Sequence, residues 1–91
     1  MSYFVVWTPA AHDRLEQFWM DAEDNQAVLR AANAIDVLLA EDPFRQDAAD
    51  VGDECTFIVE PLAVDYRVSE ADRKVHILTV WMIGYLNDPL A

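Results

Sequence analysis

The stretch LAVDYRVSEADRKVHILTVW, from Leu62 to Trp81, decides the fold of this chain. β-branched and aromatic residues are frequent on both sides of its turn sequence EADR, which is typical of two strands joined as a hairpin. The preceding ECTFIVE, residues 54–60, has the same character and ends at Pro61. The sequence therefore predicts an antiparallel meander of three strands, Glu54–Glu60, Leu62–Ser69 and Lys74–Ile83.

The residues before this meander predict one strand and the start of a helix. YFVVW, residues 3–7, is β-branched and aromatic and suits a buried strand. Thr8 can cap a helix, and Pro9 fits its first turn, where no amide hydrogen is needed. The first helix then carries an apolar stripe with helical spacing, formed by Ala11, Leu15, Phe18, Trp19 and Ala22.

A second helix is predicted after the acidic stretch DAEDN, residues 21–25. Its inner stripe consists of Val28, Ala32, Ile35 and Leu39. We expect it to end near Glu41, because Pro43 disfavours a helical conformation at Asp42. Residues 44–53 are polar and irregular, and the sequence predicts a loop there.

The resulting order β-α-α-β-β-β predicts an α+β fold for a single domain spanning residues 1–91. Two helices should pack on one face of a mainly antiparallel sheet. The predicted core includes Trp7, Leu15, Trp19, Ile35, Leu39, Tyr66 and Trp81.

Alternation along the hairpin assigns residues to the two faces of the sheet. Leu62, Val64, Tyr66 and Val68 should face the helices. If Val68 pairs with Val75, then Ile77, Thr79 and Trp81 share that face, and Leu78, Val80 and Met82 form an apolar stripe on the outer face, where a partner could dock. In the same register Arg67 lies opposite His76.

Composition and charge restrict the function. The chain has 91 residues, 54% of them hydrophobic, and its 17 Asp and Glu against 6 Lys and Arg give a net charge of −11. Such a charge disfavours nonspecific nucleic-acid binding, which depends on Lys and Arg displacing counterions. The single Cys55 cannot form an internal disulfide, and no stretch resembles a signal peptide or a membrane span, so we expect a cytoplasmic protein.

Three segments in this order resemble the RelE/ParE toxin superfamily: an opening VVWTPAAHDRLEQFW, a second helix ending in LLAEDP, and the hairpin quoted above. The resemblance spans nearly the whole chain. It implies one half of a type II toxin–antitoxin pair, in which an antitoxin from the adjacent gene wraps the toxin. Free toxins of this family cleave mRNA on the ribosome or poison gyrase. Because this chain is acidic, we expect a basic antitoxin that buries Leu78, Val80 and Met82.

The resemblance does not extend to the residues of catalysis. RelE-like nucleases place an arginine where this chain has Ala63, and a basic or acid–base residue where its tail reads GYLNDPLA. RNA cleavage through the 2′-hydroxyl requires a base, an acid and a cation at the phosphate. The candidates for these roles are Arg67, His76, Arg45 and Tyr85.

Each candidate also has a structural interpretation. Arg67 could pair with Asp65 or Glu70, His76 could be a surface neighbour of Arg67, and Tyr85 could pack against the sheet edge. Two histidines and one cysteine form no metal-ligand pattern, and no cofactor motif is present. Three hypotheses remain: a ribonuclease toxin, a gyrase-directed poison, and a catalytically inactive toxin-like binding module. The acidity and the missing arginines favour the binding module.

Overall fold

The structure, a computed structural model, describes residues 2–45, 48–51 and 54–83. These residues form two helices and five strands in the order β-α-α-β-β-β-β. The predicted order is confirmed, with one additional short strand in the segment that the sequence predicted to be a loop. The elements are β1 (Phe4–Trp7), α1 (Pro9–Asp21), α2 (Asn25–Glu41), β2 (Ala49–Val51), β3 (Glu54–Val59), β4 (Leu62–Ser69) and β5 (Lys74–Met82).

Helix α1 begins at its predicted cap, α2 begins within the acidic stretch that was predicted to precede it, and both end without a basic residue in the last turn. The Thr8 hydroxyl accepts a hydrogen bond from the Ala11 amide at 3.3 Å, and Pro9 occupies the first turn of α1. In α2 the Asp24 carboxylate accepts from the Ala27 amide at 3.1 Å. α2 ends at Glu41, as predicted, just before Pro43.

The strands form one mixed sheet in the order β1-β5-β4-β3-β2. β1 runs parallel to β5, with Val5 opposite Val75, and all other pairs are antiparallel. A parallel pair needs a long crossover connection, which begins here with α1 and α2. The predicted meander of β3, β4 and β5 is confirmed.

A β-bulge in β5 changes the register of the hairpin halfway along its length. From the turn, Val68 pairs with Val75 as predicted, and Tyr66 pairs with Ile77. The next pair, however, joins Asp65 to Thr79, so that Leu78 is an extra residue in β5. Such an insertion exchanges the two faces for every residue that follows it.

The bulge makes two face assignments wrong. Thr79 and Trp81 were predicted in the core, but Thr79 is exposed and Trp81 is half-buried opposite Ala63 on the outer face. Val80 was predicted on the outer face, but it has 0% exposure and belongs to the core, and Met82 packs against that core. Leu78, Val80 and Met82 therefore form no exposed stripe.

The core lies between the helices and one face of the sheet, as predicted. Ile35, Leu39 and Tyr66 have 0% exposure, and the Tyr66 hydroxyl donates to the Pro43 carbonyl at 2.6 Å. The partly buried residues around this core include Trp7 and Leu15. Its buried members are Ala11, Val28, Ala31, Ala32, Ile35, Leu39, Phe57, Leu62, Val64, Tyr66, Val75, Ile77 and Val80.

Trp19 is not a core residue, contrary to the sequence prediction. It lies near the end of α1 and is 38% exposed, while Met20 beside it is 66% exposed. The apolar stripe of α1 is wider than the surface that the sheet offers, and the neighbouring Phe18 occupies the half-buried position. A large apolar side chain is therefore left partly in water at this end of the molecule.

Candidate functional site

Arg67 and His76 lie opposite each other on the outer face of the sheet, as the sequence predicted. Arg67 is directed toward β3, where its guanidinium lies 3.4 Å from the Glu54 carboxylate. The two side chains are 54% and 42% exposed, so this ion pair contributes at most about 1 kcal/mol. The predicted pairing of Arg67 with Asp65 or Glu70 is wrong, because β3 brings Glu54 closer.

Asp65 shares the outer face with Arg67, two residues away on β4. Its carboxylate accepts a hydrogen bond of 2.6 Å from the Thr56 hydroxyl on β3. Lys74 and His76 lie on the same face of β5, which adds one exposed cation. The outer face thus contains two carboxylates, Glu54 and Asp65, beside the cations Arg67 and Lys74. Its positive charge is therefore largely balanced.

Arg45 lies on the opposite side of the sheet from Arg67 and His76. Its guanidinium carbon is 5.1 Å from the centroid of the Phe57 ring, and Phe57 is a core residue that pairs with Val64 on the helix face. The structure therefore does not bring Arg45 to the other two candidates. The fourth candidate, Tyr85, lies outside the described residues.

Two of the six Lys and Arg, Arg67 and Lys74, share the outer face. Arg14 stacks on Phe18 in α1, with 5.3 Å between the guanidinium carbon and the ring centroid. Arg73 stacks on Tyr3 at the hairpin end, at 4.6 Å. Such cation–π contacts fix a guanidinium against an aromatic ring. The described residues include all six Lys and Arg of the chain.

Ala63, which the sequence resemblance matched to an arginine of RelE-like nucleases, is completely buried. The register places it in a row with Ile58 on β3 and Trp81 on β5. Ile58 is 55% exposed and Trp81 is half-buried, so this end of the outer face is apolar. Sequence analysis missed the row because it assigned Trp81 to the other face.

A shallow groove of 260 Å³ lies between the end of α1 and the end of β5. Its walls are Phe18, Asp21, Ala22 and Met82, and we call it the α1–β5 groove. Three of these four side chains are apolar, and Asp21 is exposed at the last position of the helix. Sequence analysis missed this groove, because Met82 was predicted to face away from α1.

Within residues 2–45, 48–51 and 54–83, no three His, Cys, Asp or Glu side chains lie close enough to hold a metal ion. None of the helices in this part of the chain is long and apolar enough to cross a bilayer.

Comparisons with known proteins bear on the fold. No family model and no curated protein matches the sequence. The toxin–antitoxin complex RelBE2 from Mycobacterium tuberculosis contains a similar chain, with a TM-score of 0.73, 17% identity, and coverage of 90% of this chain and 99% of that chain. The YoeB/ParE toxin from Agrobacterium tumefaciens has a TM-score of 0.70 at 16% identity, covering 89% of this chain and 99% of its own.

A third similar structure is the chromosomal ParDE toxin–antitoxin system from P. aeruginosa. Its TM-score is 0.65 at 17% identity, with 91% of this chain and 98% of that chain covered. The aligned part is nearly the whole chain in each of the three cases. The chain therefore has the RelE/ParE toxin fold, which confirms the resemblance at the level of architecture.

Proposed function

We propose that this chain is the toxin-fold component of a cytoplasmic type II toxin–antitoxin pair and that it acts by protein contact. The observation that carries this proposal is the fold, which matches toxin chains along 90% of this chain and 99% of the RelBE2 chain. A fold can support several chemistries, so the mode of action depends on the residues of the site.

The outer face is poorly equipped to cleave RNA. A ribonuclease needs a free cation beside the reacting phosphate and a positioned acid and base. Arg67 is paired with Glu54, and Asp65 places a second carboxylate on the same face. Ala63, in place of the family arginine, is buried. These features favour protein contact over phosphate chemistry.

A protein-contact mode agrees with the apolar surfaces of the molecule. On the outer face, Phe4 is 72%, Val6 is 38% and Ile58 is 55% exposed. Exposed apolar side chains on one face of a sheet are available for contact with a partner. The target could be gyrase, as in a ParE-like poison, and the same surfaces would serve a toxin-like module that has lost its toxicity.

The partner that neutralises the chain is proposed to be a small basic antitoxin encoded by the adjacent gene. A net charge of −11 attracts a cationic partner at long range. Such attraction accelerates association and makes it sensitive to salt, while apolar contacts provide most of the affinity.

Growth of a bacterial host tests the proposal. Expression of the chain from a tight inducible promoter should arrest growth, and co-expression of the adjacent small reading frame should restore it. Ile35→Asp is the control, since a charge at a position with 0% exposure should unfold the domain and abolish arrest. If the folded wild-type chain leaves growth unchanged, the toxin role is wrong and the binding module remains.

The mode of action is tested in the same strains. An Arg67→Ala/His76→Ala double variant should still arrest growth. The mRNA should be intact both in the strain that expresses the wild-type chain and in the strain that expresses the double variant. A supercoiling assay with purified gyrase then examines the ParE-like target directly. Cleaved mRNA with wild type and intact mRNA with the double variant would instead establish a ribonuclease, with Arg67 as the cation and His76 as the proton-transfer group.

A further inference from the structure

The α1–β5 groove combines an apolar floor with an acidic border. Met82 and Ala22 are half-buried, and Phe18 contributes an aromatic wall. Trp19 and Met20, which follow Phe18 on α1, are 38% and 66% exposed. Large apolar side chains left in water favour contact with a partner.

One wall of the groove, Asp21, is a carboxylate, and it belongs to an acidic segment of the chain. α1 and the turn after it contain five exposed carboxylates and a single arginine, Arg14. That arginine stacks on Phe18. The carboxylates are Asp13, Glu16, Asp21, Glu23 and Asp24.

Asp21 lies where a helix disfavours a carboxylate. It is the last residue of α1, and the last turn has no basic residue. The carboxyl end of a helix carries partial negative charge, so anions there are unfavourable and cations are favourable. A cationic side chain bound at Asp21 would relieve this repulsion.

From this combination we infer that the α1–β5 groove binds a basic amphipathic segment of a partner protein. The apolar side of the segment packs on Phe18, Ala22 and Met82, and its Lys or Arg residues pair with Asp21 and Glu23. Helix-in-groove binding with an apolar face and charged flanks is a common mode of peptide recognition. The inference rests on the proposed function in one respect only: the antitoxin is the natural source of the segment.

A synthetic amphipathic helix of leucine and lysine provides the probe. It is titrated into the full-length, isotope-labelled protein, and amide and methyl signals are followed by NMR. Saturable shifts should be concentrated at Phe18, Asp21, Ala22 and Met82. A leucine–glutamate helix of the same length should cause no saturable shift.

Matched charge reversals distinguish binding at the groove from general electrostatic attraction to the acidic protein. Asp21→Lys should weaken binding of the leucine–lysine helix by about fivefold, whereas Glu70→Lys makes the same charge change on the exposed hairpin and should weaken it by less than about twofold. Met82→Gln, which keeps the side-chain length, should weaken it about tenfold by removing the apolar floor.

Three outcomes would overturn the inference. In one, the shifts spread over all acidic surfaces and both lysine variants weaken binding equally. In another, the shifts are concentrated at Ile58 and Trp81 on the outer face. In the third, the Met82 methyl group shows contacts with residues 84–91 of the same chain that the probe does not displace. Because this titration needs neither growth arrest nor an antitoxin, its failure is distinguishable from failure of the proposed function.

Discussion

Thr8 is bonded twice to the carbonyl of Ile77. The Thr8 amide donates to that oxygen at 3.1 Å and the Thr8 hydroxyl donates at 2.9 Å. The same hydroxyl accepts from the Ala11 amide and caps α1. Ile77 is the last residue of β5 before the bulge at Leu78, so one threonine connects the end of β1, the start of α1 and the register shift of β5.

The first prediction concerns this threonine. Thr8→Val keeps the shape of the side chain but removes the donor to Ile77 and the cap of α1, and we expect a loss of about 1–2 kcal/mol in the free energy of unfolding. Urea unfolding measures it. Thr8→Ser retains the hydroxyl and should lose less than half as much, and equal losses for the two variants would contradict the hydrogen-bonding role.

The second prediction contrasts two aromatic residues. Trp19→Ala should lower the free energy of unfolding by no more than about 1 kcal/mol, because the side chain is 38% exposed. Tyr66→Phe should lower it by about 1–3 kcal/mol, because the buried Pro43 carbonyl loses the tyrosine hydroxyl. Denaturant unfolding compares the two variants. A larger loss of unfolding free energy for Trp19→Ala than for Tyr66→Phe would show that Trp19 is a core residue.

The third prediction tests the bulge. If Leu78 is the extra residue, Val80 is a core residue and Thr79 is not. Val80→Ala should then destabilise the domain by about 1–3 kcal/mol, while Thr79→Ala should change its stability by less than about 0.5 kcal/mol. The reverse order of the two losses would support regular alternation through β5.

The fourth prediction concerns RNA. We expect the purified protein to leave mRNA intact on translating ribosomes, because the outer face pairs Arg67 with Glu54 and carries a second carboxylate, Asp65. Primer extension detects any cut. Cleavage that disappears in both Arg67→Ala and His76→Ala would contradict this expectation.

The fifth prediction concerns the antitoxin complex. Raising ionic strength should slow association markedly and change dissociation little, because charge attraction acts mainly on encounter. Stopped-flow measurements separate the two rates. Glu70→Lys and Asp21→Lys reduce the net charge equally, so both should slow association, but only Asp21→Lys should accelerate dissociation if the α1–β5 groove is the docking site.

The sequence by itself determined both helices, four of the five strands of the described residues, and the side of the sheet on which the helices pack. Thr8, Pro9 and Asp24 lie at helix starts, and Pro43 fixes a helix end, because capping and proline geometry are local properties. Alternation on β4 correctly placed Leu62, Val64 and Tyr66 in the core. The opposition of Arg67 and His76 followed from the register near the turn.

The tertiary structure alone decided what lies beyond the bulge. Ile77 and Leu78 are both apolar, and every later residue of β5 except Thr79 is apolar too, so the local pattern does not identify which residue is the extra one. The register there depends on how β5 pairs with β4 and on the Ile77 carbonyl bonded by Thr8, contacts between residues distant in sequence. A shift of one residue exchanges the faces of a strand, and for this reason Val80 is buried, Trp81 faces outward and Met82 lines a groove beside α1.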